Sequence, residues 1–290
     1  MSSYQAVPLG AAEGAKSPKP NTFTINVEKI RLIAYIAFFG MVGFSIVCSN
    51  VFVWDNFTCE IDGQAESGKV CSDLMQVFGR ENICINWDYQ PSAQLTAMVY
   101  PLFEYSLILY LLLSHYQVKN DMLNGIFPAE KEKMMTVLFW IKIVLVAWFR
   151  MIFVCKVDDP EITIGRFTID GVTAHTAGFL GLQAGLVLIA LENVYYLTYR
   201  KQSFWCFSQE MTMNLAYSYL VLLTTITVIK MIWTISILAS GTSIVPSSIA
   251  DVANTGWILF AAVLPVFFAL DQMEKDPPMV VTIVNTDVRK

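Results

Sequence analysis

Ionisable side chains interrupt several strongly apolar stretches of this chain. The stretch GVTAHTAGFLGLQAGLVLIALENVYY, residues 171–196, contains His175, Gln183 and Glu192. Four more ionisable residues stand in other apolar stretches: Glu104, Lys142, Arg150 and Lys230. A charge at the centre of a bilayer costs about 2.5–3.5 kcal/mol on insertion scales, so such groups usually face a protein interior and pair. Two hypotheses follow: an ion, proton or lipid-headgroup path, or structural ion pairs with snorkelling bases.

Catalytic chemistry has little support in the motifs. The chain contains no GxSxG, HExxH or P-loop pattern. Its two histidines, His115 and His175, fall at opposite ends of predicted spans, about 30 Å apart, so they cannot ligate one haem iron. We therefore expect no enzyme activity, no metal and no cofactor.

Composition predicts the elements that carry these residues. The sequence is 55% hydrophobic and 15% charged, and its charges cluster between long apolar runs. Six runs are long enough to cross a bilayer as helices, and strands would need short alternating segments that are missing. The predicted spans are residues 31–54, 92–114, 134–155, 172–199, 211–239 and 252–270. The prediction is an all-α, polytopic six-helix bundle.

Basic residues predict the topology. The side of the chain that holds both termini carries twelve lysines and arginines, whereas the other side carries four: Lys69, Arg80, Lys156 and Arg166. The positive-inside rule therefore places both termini in the cytoplasm. Residues 1–30 are then a disordered cytoplasmic tail, 31–271 the transmembrane domain, 55–91 an extracytoplasmic loop and 272–290 a cytoplasmic C-terminal tail.

Depth along the spans predicts which charges meet. Glu104 and Lys142 lie near the middle of consecutive spans, so we expect them to pair inside the bundle. Glu192 is placed near the inner surface, beyond reach of that pair. Arg150 and Lys230 fall in the outer half. The groups expected within reach of Lys230 are Asp170, Asp251 and His175.

Small residues predict how the fourth span packs. On a helical wheel they form one narrow stripe, and two of them make a GxxxG pair, which favours close helix contact in membranes. The stripe consists of Ala174, Gly178, Gly181 and Gly185. Glu192 continues this stripe, whereas His175 and Gln183 point elsewhere. The segment is therefore interpreted as a packing helix, with Glu192 available to a partner.

Cysteines cluster on the side predicted to be oxidising, which favours disulfides. The candidates are Cys59, Cys71, Cys84 and Cys155. Spacing does not fix their pairing. Our choice is Cys59 with Cys71, and Cys84 with Cys155. Asn56 begins a glycosylation sequon on the same side.

The sequence resembles the damage-regulated autophagy modulator family of six-span membrane proteins. The fourth span opens with VTAHTAGF, and the last span and tail read FFALDQMEKDPPMVVTI, in a layout similar to that family. The resemblance implies a plasma-membrane or endolysosomal protein in autophagy, lipid handling or kinase anchoring. It supplies no catalytic residues.

The leading prediction is a non-enzymatic membrane protein that scaffolds or modulates other membrane components. The alternative is a transporter or channel whose intramembrane charges line a polar pathway. The expected partners are the lipid bilayer and membrane proteins or further copies of the chain, and no nucleic acid.

Overall fold

The computed structural model describes residues 21–54, 58–61, 64–67, 72–78, 83–164, 166–276 and 278–283. Within them the chain is mostly helical. The helices are, in order, α1 (Val27–Phe52), α2 (Asp73–Phe78), α3 (Ser92–Leu123), α4 (Glu132–Trp148), α5 (Met151–Val154), α6 (Gly171–Arg200), α7 (Gln209–Ser240), α8 (Ser247–Ile258) and α9 (Leu264–Lys275). Short 3₁₀ turns at Ile83–Trp87 and Ala129–Lys131 precede α3 and α4.

Within the described residues, six helical spans are long and apolar enough to cross a membrane, which confirms the predicted number. They are α1, α3, α4 with α5, α6, α7, and α8 joined to α9 through a π turn at Leu259–Val263. Large apolar side chains such as Met98 and Leu102 are exposed, whereas Glu104 and Lys142 are buried. This pattern is the reverse of a water-soluble bundle, and it supports a multi-pass integral membrane protein.

Local sequence explains where three spans begin. A side-chain oxygen caps the first turn of each helix by accepting a backbone N–H. Asn26 caps α1 through Lys29, at 3.0 Å, and Asp170 caps α6 through Thr173, at 2.8 Å. Ser208 caps α7 through the amide of Met211 in the same way.

In the part of the chain that the structure describes, six short strands form three antiparallel pairs. They are β1 (Asn21–Ile25) with β6 (Met279–Ile283), β2 (Thr58–Ile61) with β3 (Gln64–Ser67), and β4 (Ile162–Ile164) with β5 (Phe167–Ile169). The pair β2–β3 is a hairpin between α1 and α3, and the pair β4–β5 is a hairpin between α5 and α6. β1 and β6 belong to segments predicted as tails, and they fall in one compact unit, whereas residues 26–277 form the other.

The bundle has two ends, which we name from its first helix. The inner end holds the start of α1 and the end of α9, and the outer end holds the end of α1 and the start of α3. α1 packs along α3 and also on α9, and α6 lies between α4 and α7. α7 packs on α8 at the outer end but makes only sparse contact with α9. The fifth and sixth spans therefore separate toward the inner end.

Candidate functional site

A cavity of about 100 Å³ opens within the bundle at the inner end. Five helices and two flanking segments surround it. Its wall includes charged, amide and aromatic side chains and one small residue: Glu28, Arg31, Tyr110, Asn193, Arg200, Phe204, Ala216, Tyr219, Phe268, Gln272 and Asp276. A single buried water needs roughly 10–15 Å³ of such space, so this cavity has room for a larger polar group.

An arginine–glutamate pair forms one wall of the inner cavity. Arg31 Nη2 lies 2.6 Å from Glu28 Oε2, one helical turn away on α1. Both residues are buried, and the guanidinium carbon stands 5.8 Å from the ring centre of Tyr110. Within the described residues, Arg31 Nε has no hydrogen-bond acceptor. A buried donor without an acceptor is costly, so this wall is suited to a ligand oxygen.

A second arginine closes the cavity at the ends of α6 and α9. Arg200 Nε donates to Asp121 Oδ2 at 3.0 Å, and Arg200 Nη1 donates to Asp276 Oδ2 at 2.7 Å. Tyr196 donates to Asp121, and Gln202 donates to Asp276. The network joins α3, α6 and the residue after α9. It fixes the floor of the inner cavity and balances the charge of Arg200.

Aromatic side chains line the cavity where the fifth and sixth spans separate. The rings of Phe204 and Phe268 have centroids 4.5 Å apart, and those of Tyr219 and Phe268 are 6.3 Å apart. Tyr219 and Phe268 are half-buried. The inner cavity therefore joins a polar wall, on α1 and α6, to an apolar wall that reaches the gap between α7 and α9.

The predicted ion pair between Glu104 and Lys142 is wrong. Glu104 instead pairs with Arg150, at 2.7 Å, and Tyr105 adds a hydroxyl contact to the same guanidinium. Lys142 pairs with Glu192, which had been placed out of reach. α3 continues to Leu123, past the predicted end of the second span at Ser114, so the depths counted along that apolar run were shifted.

None of these four ionisable residues lines the inner cavity. The two pairs join neighbouring spans: Glu104–Arg150 joins α3 to the turn before α5, and Lys142–Glu192 joins α4 to α6. Three of the four side chains are almost fully buried, and Arg150 is half exposed. These contacts support the hypothesis that the four residues form structural ion pairs.

The small-residue stripe packs against the third span, as a packing helix requires. A Cβ added at Gly178 would come within 3.0 Å of the Ile152 nitrogen, and one at Gly181 within 3.0 Å of the Trp148 ring. At Gly185 the neighbour is the Leu145 side chain, at 3.4 Å. Ala174 is also buried. Backbones of the third and fourth spans therefore approach closely, which brings Glu192 to Lys142.

His175 faces an aspartate from the first outer loop. Its Nδ1 donates to the carbonyl of Cys155, at 3.2 Å, and its Nε2 lies 3.7 Å from Asp88 Oδ1. Ser72 donates to the other oxygen of Asp88 at 2.8 Å. Burial raises the pKa of Asp88 to about 8, although the Ser72 hydrogen bond acts in the opposite direction. The carboxyl is therefore protonated at neutral pH.

The predicted bridge between Cys84 and Cys155 is wrong. Cys155 is a free, buried thiol beside His175, and burial raises its pKa. Cys84 lies elsewhere, in the 3₁₀ turn against the fifth span. The pairing of Cys59 with Cys71 stays a prediction, because Cys71 and the Cys59 side chain lie outside the described residues. The glycosylation sequon at Asn56 also stays a prediction, because Asn56 lies outside the described residues.

Lys230 is buried and donates to Asn254 Oδ1 at 2.5 Å, rather than approaching the acids and histidine expected from the sequence. His115, at the inner half of α3, stacks on Phe139 with ring centroids 4.6 Å apart.

Sequence reasoning missed the cavity residues. Arg31 and Arg200 were counted only as bases that set topology. One signal was present: Glu28 stands three residues before Arg31, a helical spacing that predicts an ion pair. Asp121 and Asp276 reach Arg200 from distant parts of the chain, and no local pattern indicates that.

Comparisons with models of protein families, with curated proteins and with solved structures found no match for this chain. By its six apolar helices the chain is a multi-pass membrane protein.

Proposed function

We propose that this protein is a non-enzymatic membrane protein that binds an amphipathic lipid, with the lipid headgroup in the inner cavity. The observation that carries the proposal is the composition of the cavity wall. Charged and amide groups around Arg31 form one side, and aromatic groups around Phe268 form the side toward the gap between α7 and α9. A lipid has the same division into a polar head and an apolar chain.

The charges of the wall favour a headgroup that is not strongly charged. Arg31 is balanced by Glu28, and Arg200 by Asp121 and Asp276. The groups that remain for a ligand are hydrogen-bonding ones. Arg31 Nε and Gln272 Oε1 have no partner among the described residues, so the site lacks one acceptor and one donor. A headgroup that carries both an anionic oxygen and an N–H or O–H meets this demand.

Function in the cell follows from this binding and from the family resemblance. The protein would modulate or scaffold membrane components through the bound lipid, in the plasma membrane or the endolysosomal membrane, with membrane proteins or further copies of the chain as partners. With both termini cytoplasmic, as the basic residues predict, the inner cavity would draw its lipid from the cytoplasmic leaflet.

Native mass spectrometry of the purified full-length chain tests lipid binding. The protein is stripped with detergent and then mixed with micelles that contain equal amounts of phosphatidylethanolamine and phosphatidylcholine. We expect one retained lipid per chain. Ala216→Trp should abolish retention because Ala216 is buried and lines the inner cavity. Leu215→Trp is the matched control, since Leu215 is on the same helix but is 40% exposed and does not line the inner cavity.

A chain that retains no lipid, or an Ala216→Trp variant that retains as much as the wild type, would contradict the proposal. Arg31→Gln provides a second variant in case the tryptophan disturbs folding, and Lys29→Gln, at an exposed position on α1, removes the same charge outside the cavity. Retention should fall in the first of these variants and not in the second.

A transporter is the second candidate, and one observation favours it. Gln183 is fully buried in the middle of α6, and both of its amide atoms lack a partner within the described residues. It lies two helical turns from Ala190, at the inner cavity, and one turn from Phe179, which contacts Lys230. Solute flux into proteoliposomes that falls in Gln183→Leu would favour this function over lipid binding alone.

A further inference from the structure

The segment that joins the fourth and fifth spans crosses the inner end of the bundle. It consists of residues 201–208, between the end of α6 at Arg200 and the start of α7 at Gln209, and we call it the inner strap. Two of its side chains, Gln202 and Phe204, belong to the wall of the inner cavity. The inner strap therefore closes part of the cavity at this end.

Side chains of α9 hold the backbone of the inner strap. Asp271 Oδ1 accepts the Trp205 amide hydrogen at 3.1 Å. Lys275 Nζ donates to the Ser203 carbonyl at 2.8 Å, and it also lies 2.8 Å from Asp271 Oδ2. An acid and a base one helical turn apart on α9 thus hold the strap together. Because these contacts join side chains to the backbone of a loop, they can be exchanged for water without the loss of a helix.

Phe204 links α7 to α9, which otherwise make only sparse contact. Its amide donates to Thr212 Oγ1 on α7 at 2.9 Å, and its ring centroid lies 4.5 Å from that of Phe268 on α9. The Phe204 side chain is buried. Since the apolar wall of the inner cavity reaches the gap between α7 and α9, Phe204 closes that gap at its inner end.

Two residues of the inner strap have a left-handed backbone. The φ angle is 53° at Lys201 and 50° at Trp205, and residues 202–204 lie between them. This conformation is unfavourable for residues that carry a side chain, so it persists only where surrounding contacts hold it. Loss of the contacts with α9 therefore favours rotation at both positions, which moves residues 202–204 while α6 and α7 stay in place.

We propose that the inner strap is a gate that regulates access to the inner cavity. While Asp271 and Lys275 hold it on α9, the cavity is closed at its inner end. Release of the strap from α9 opens the gap between α7 and α9 to a headgroup and its chain. As a control of lipid entry this inference rests on the proposed function, but access to the cavity can be measured with no lipid present.

A cysteine inside the cavity measures access. Ala216→Cys places a thiol at a buried position of the cavity wall, and Cys206→Ser removes the exposed native thiol of the inner strap. The purified full-length chain in detergent is treated with a small methanethiosulfonate reagent, and labelling at position 216 is followed by peptide mass spectrometry. We expect this labelling to be much slower than that of Cys206 in the wild type.

Asp271→Ala is the main variant because it removes the acceptor of the Trp205 amide and the partner of Lys275. Labelling at position 216 should become faster by roughly tenfold, as expected for the loss of one charge-assisted hydrogen bond. Glu274→Ala removes an exposed carboxylate from the same helix and should leave the rate unchanged. Lys275→Met is the second variant in case the first does not fold, and Lys29→Met, at an exposed position on α1, is its control.

Two results would overturn the gate. One is labelling at position 216 that is as fast as that of Cys206. The other is a labelling rate that is the same in each variant and its control.

Phosphatidylethanolamine added before the reagent separates the gate from the proposed function. A lipid bound in the inner cavity should protect position 216 from labelling. Labelling that is faster in Asp271→Ala and unaffected by the lipid would support the gate and contradict lipid binding. Protection by the lipid with equal rates in Asp271→Ala and Glu274→Ala would support lipid binding and contradict the gate.

Discussion

Lys142 on α4 and Glu192 on α6 form an ion pair whose side chains are 3% and 4% exposed. Each comes from a span that would otherwise present an isolated charge to the membrane interior. The close approach of the third and fourth spans along the small-residue stripe allows the pair to form.

Removal of one partner of this pair should be costly. We expect Lys142→Met or Glu192→Gln alone to lower the free energy of unfolding by about 3–5 kcal/mol, because the remaining group is left without its partner in a low dielectric. The double variant should recover much of that loss, as measured by chemical unfolding in detergent micelles. Additive losses would show that the two residues are not coupled. Lys119 and Glu132, an exposed pair, provide the control, with little expected effect.

The small-residue stripe on α6 gives a second prediction, which concerns the stability of the bundle. Gly178→Val should destabilise the bundle by about 1–3 kcal/mol because the new side chain meets the backbone of Ile152. Gly43→Val is the control, since nothing lies within 4 Å of a Cβ at Gly43. Unfolding measured side by side in the same detergent checks this. Equal effects at the two glycines would mean that the stripe does not set helix contact.

Asp88 predicts a pH dependence. Its pKa is raised by burial from 3.8 to about 8, so its contribution to stability is fully present below about pH 4 and is lost as the pH rises through 8. Asp88→Asn should therefore remove a fall in stability of up to about 1.4 kcal/mol per pH unit within that window. The quantity to measure is the difference between wild type and Asp88→Asn from pH 5 to pH 9. A difference that does not change with pH would refute the assignment.

Cysteine chemistry gives a fourth prediction. We expect a bridge between Cys59 and Cys71 and a reduced Cys155. Alkylation of the denatured chain before reduction, followed by peptide mapping, should label Cys155 and leave Cys59 and Cys71 unlabelled. Labelling of all three would rule out the bridge. Thiols at Cys59 and Cys71 would also remove the evidence that their loop is on the oxidising side.

Topology is the fifth prediction. Tags at either terminus should bind antibody only after cells are permeabilised, because twelve basic residues against four favour cytoplasmic termini. A tag inserted in the loop after Ile61 should be accessible on intact cells if the protein is at the plasma membrane, and this tag is the positive control. Staining of a terminal tag on intact cells would reverse the assignment.

The sequence was sufficient for the spans and insufficient for the contacts between them. Apolar run length reports where a helix can cross a bilayer, so the number of spans was predicted correctly. It does not report where the helix ends: α3 runs to Leu123, well past the predicted end at Ser114. Pairing by depth therefore matched Glu104 with the wrong base. Helical periodicity succeeded for Gly178 and Gly181 because a packing face depends on spacing within one helix.

The residues that line the inner cavity could not be predicted from local sequence patterns, for a different reason. Arg31 at the start of a span has the pattern of a base that snorkels to the surface, yet it is buried against Glu28 and Tyr110. Its burial results from α1 packing against both α3 and α9, helices that are far apart in the sequence. Lys230 is similar, since Asn254 and Phe179 approach it from two other spans.

The pairing of β1 with β6 has a consequence for biosynthesis. Asn21–Ile25 precedes the first span in the chain, so it leaves the ribosome before any span does, whereas its partner Met279–Ile283 follows the sixth span. The first strand therefore stays unpaired until all six spans have been synthesised and inserted. A chain truncated inside α9 would never supply the partner, and it would keep an open strand edge of the kind that quality-control factors and aggregates recognise. Formation of this two-stranded sheet thus requires that all six spans have already been made.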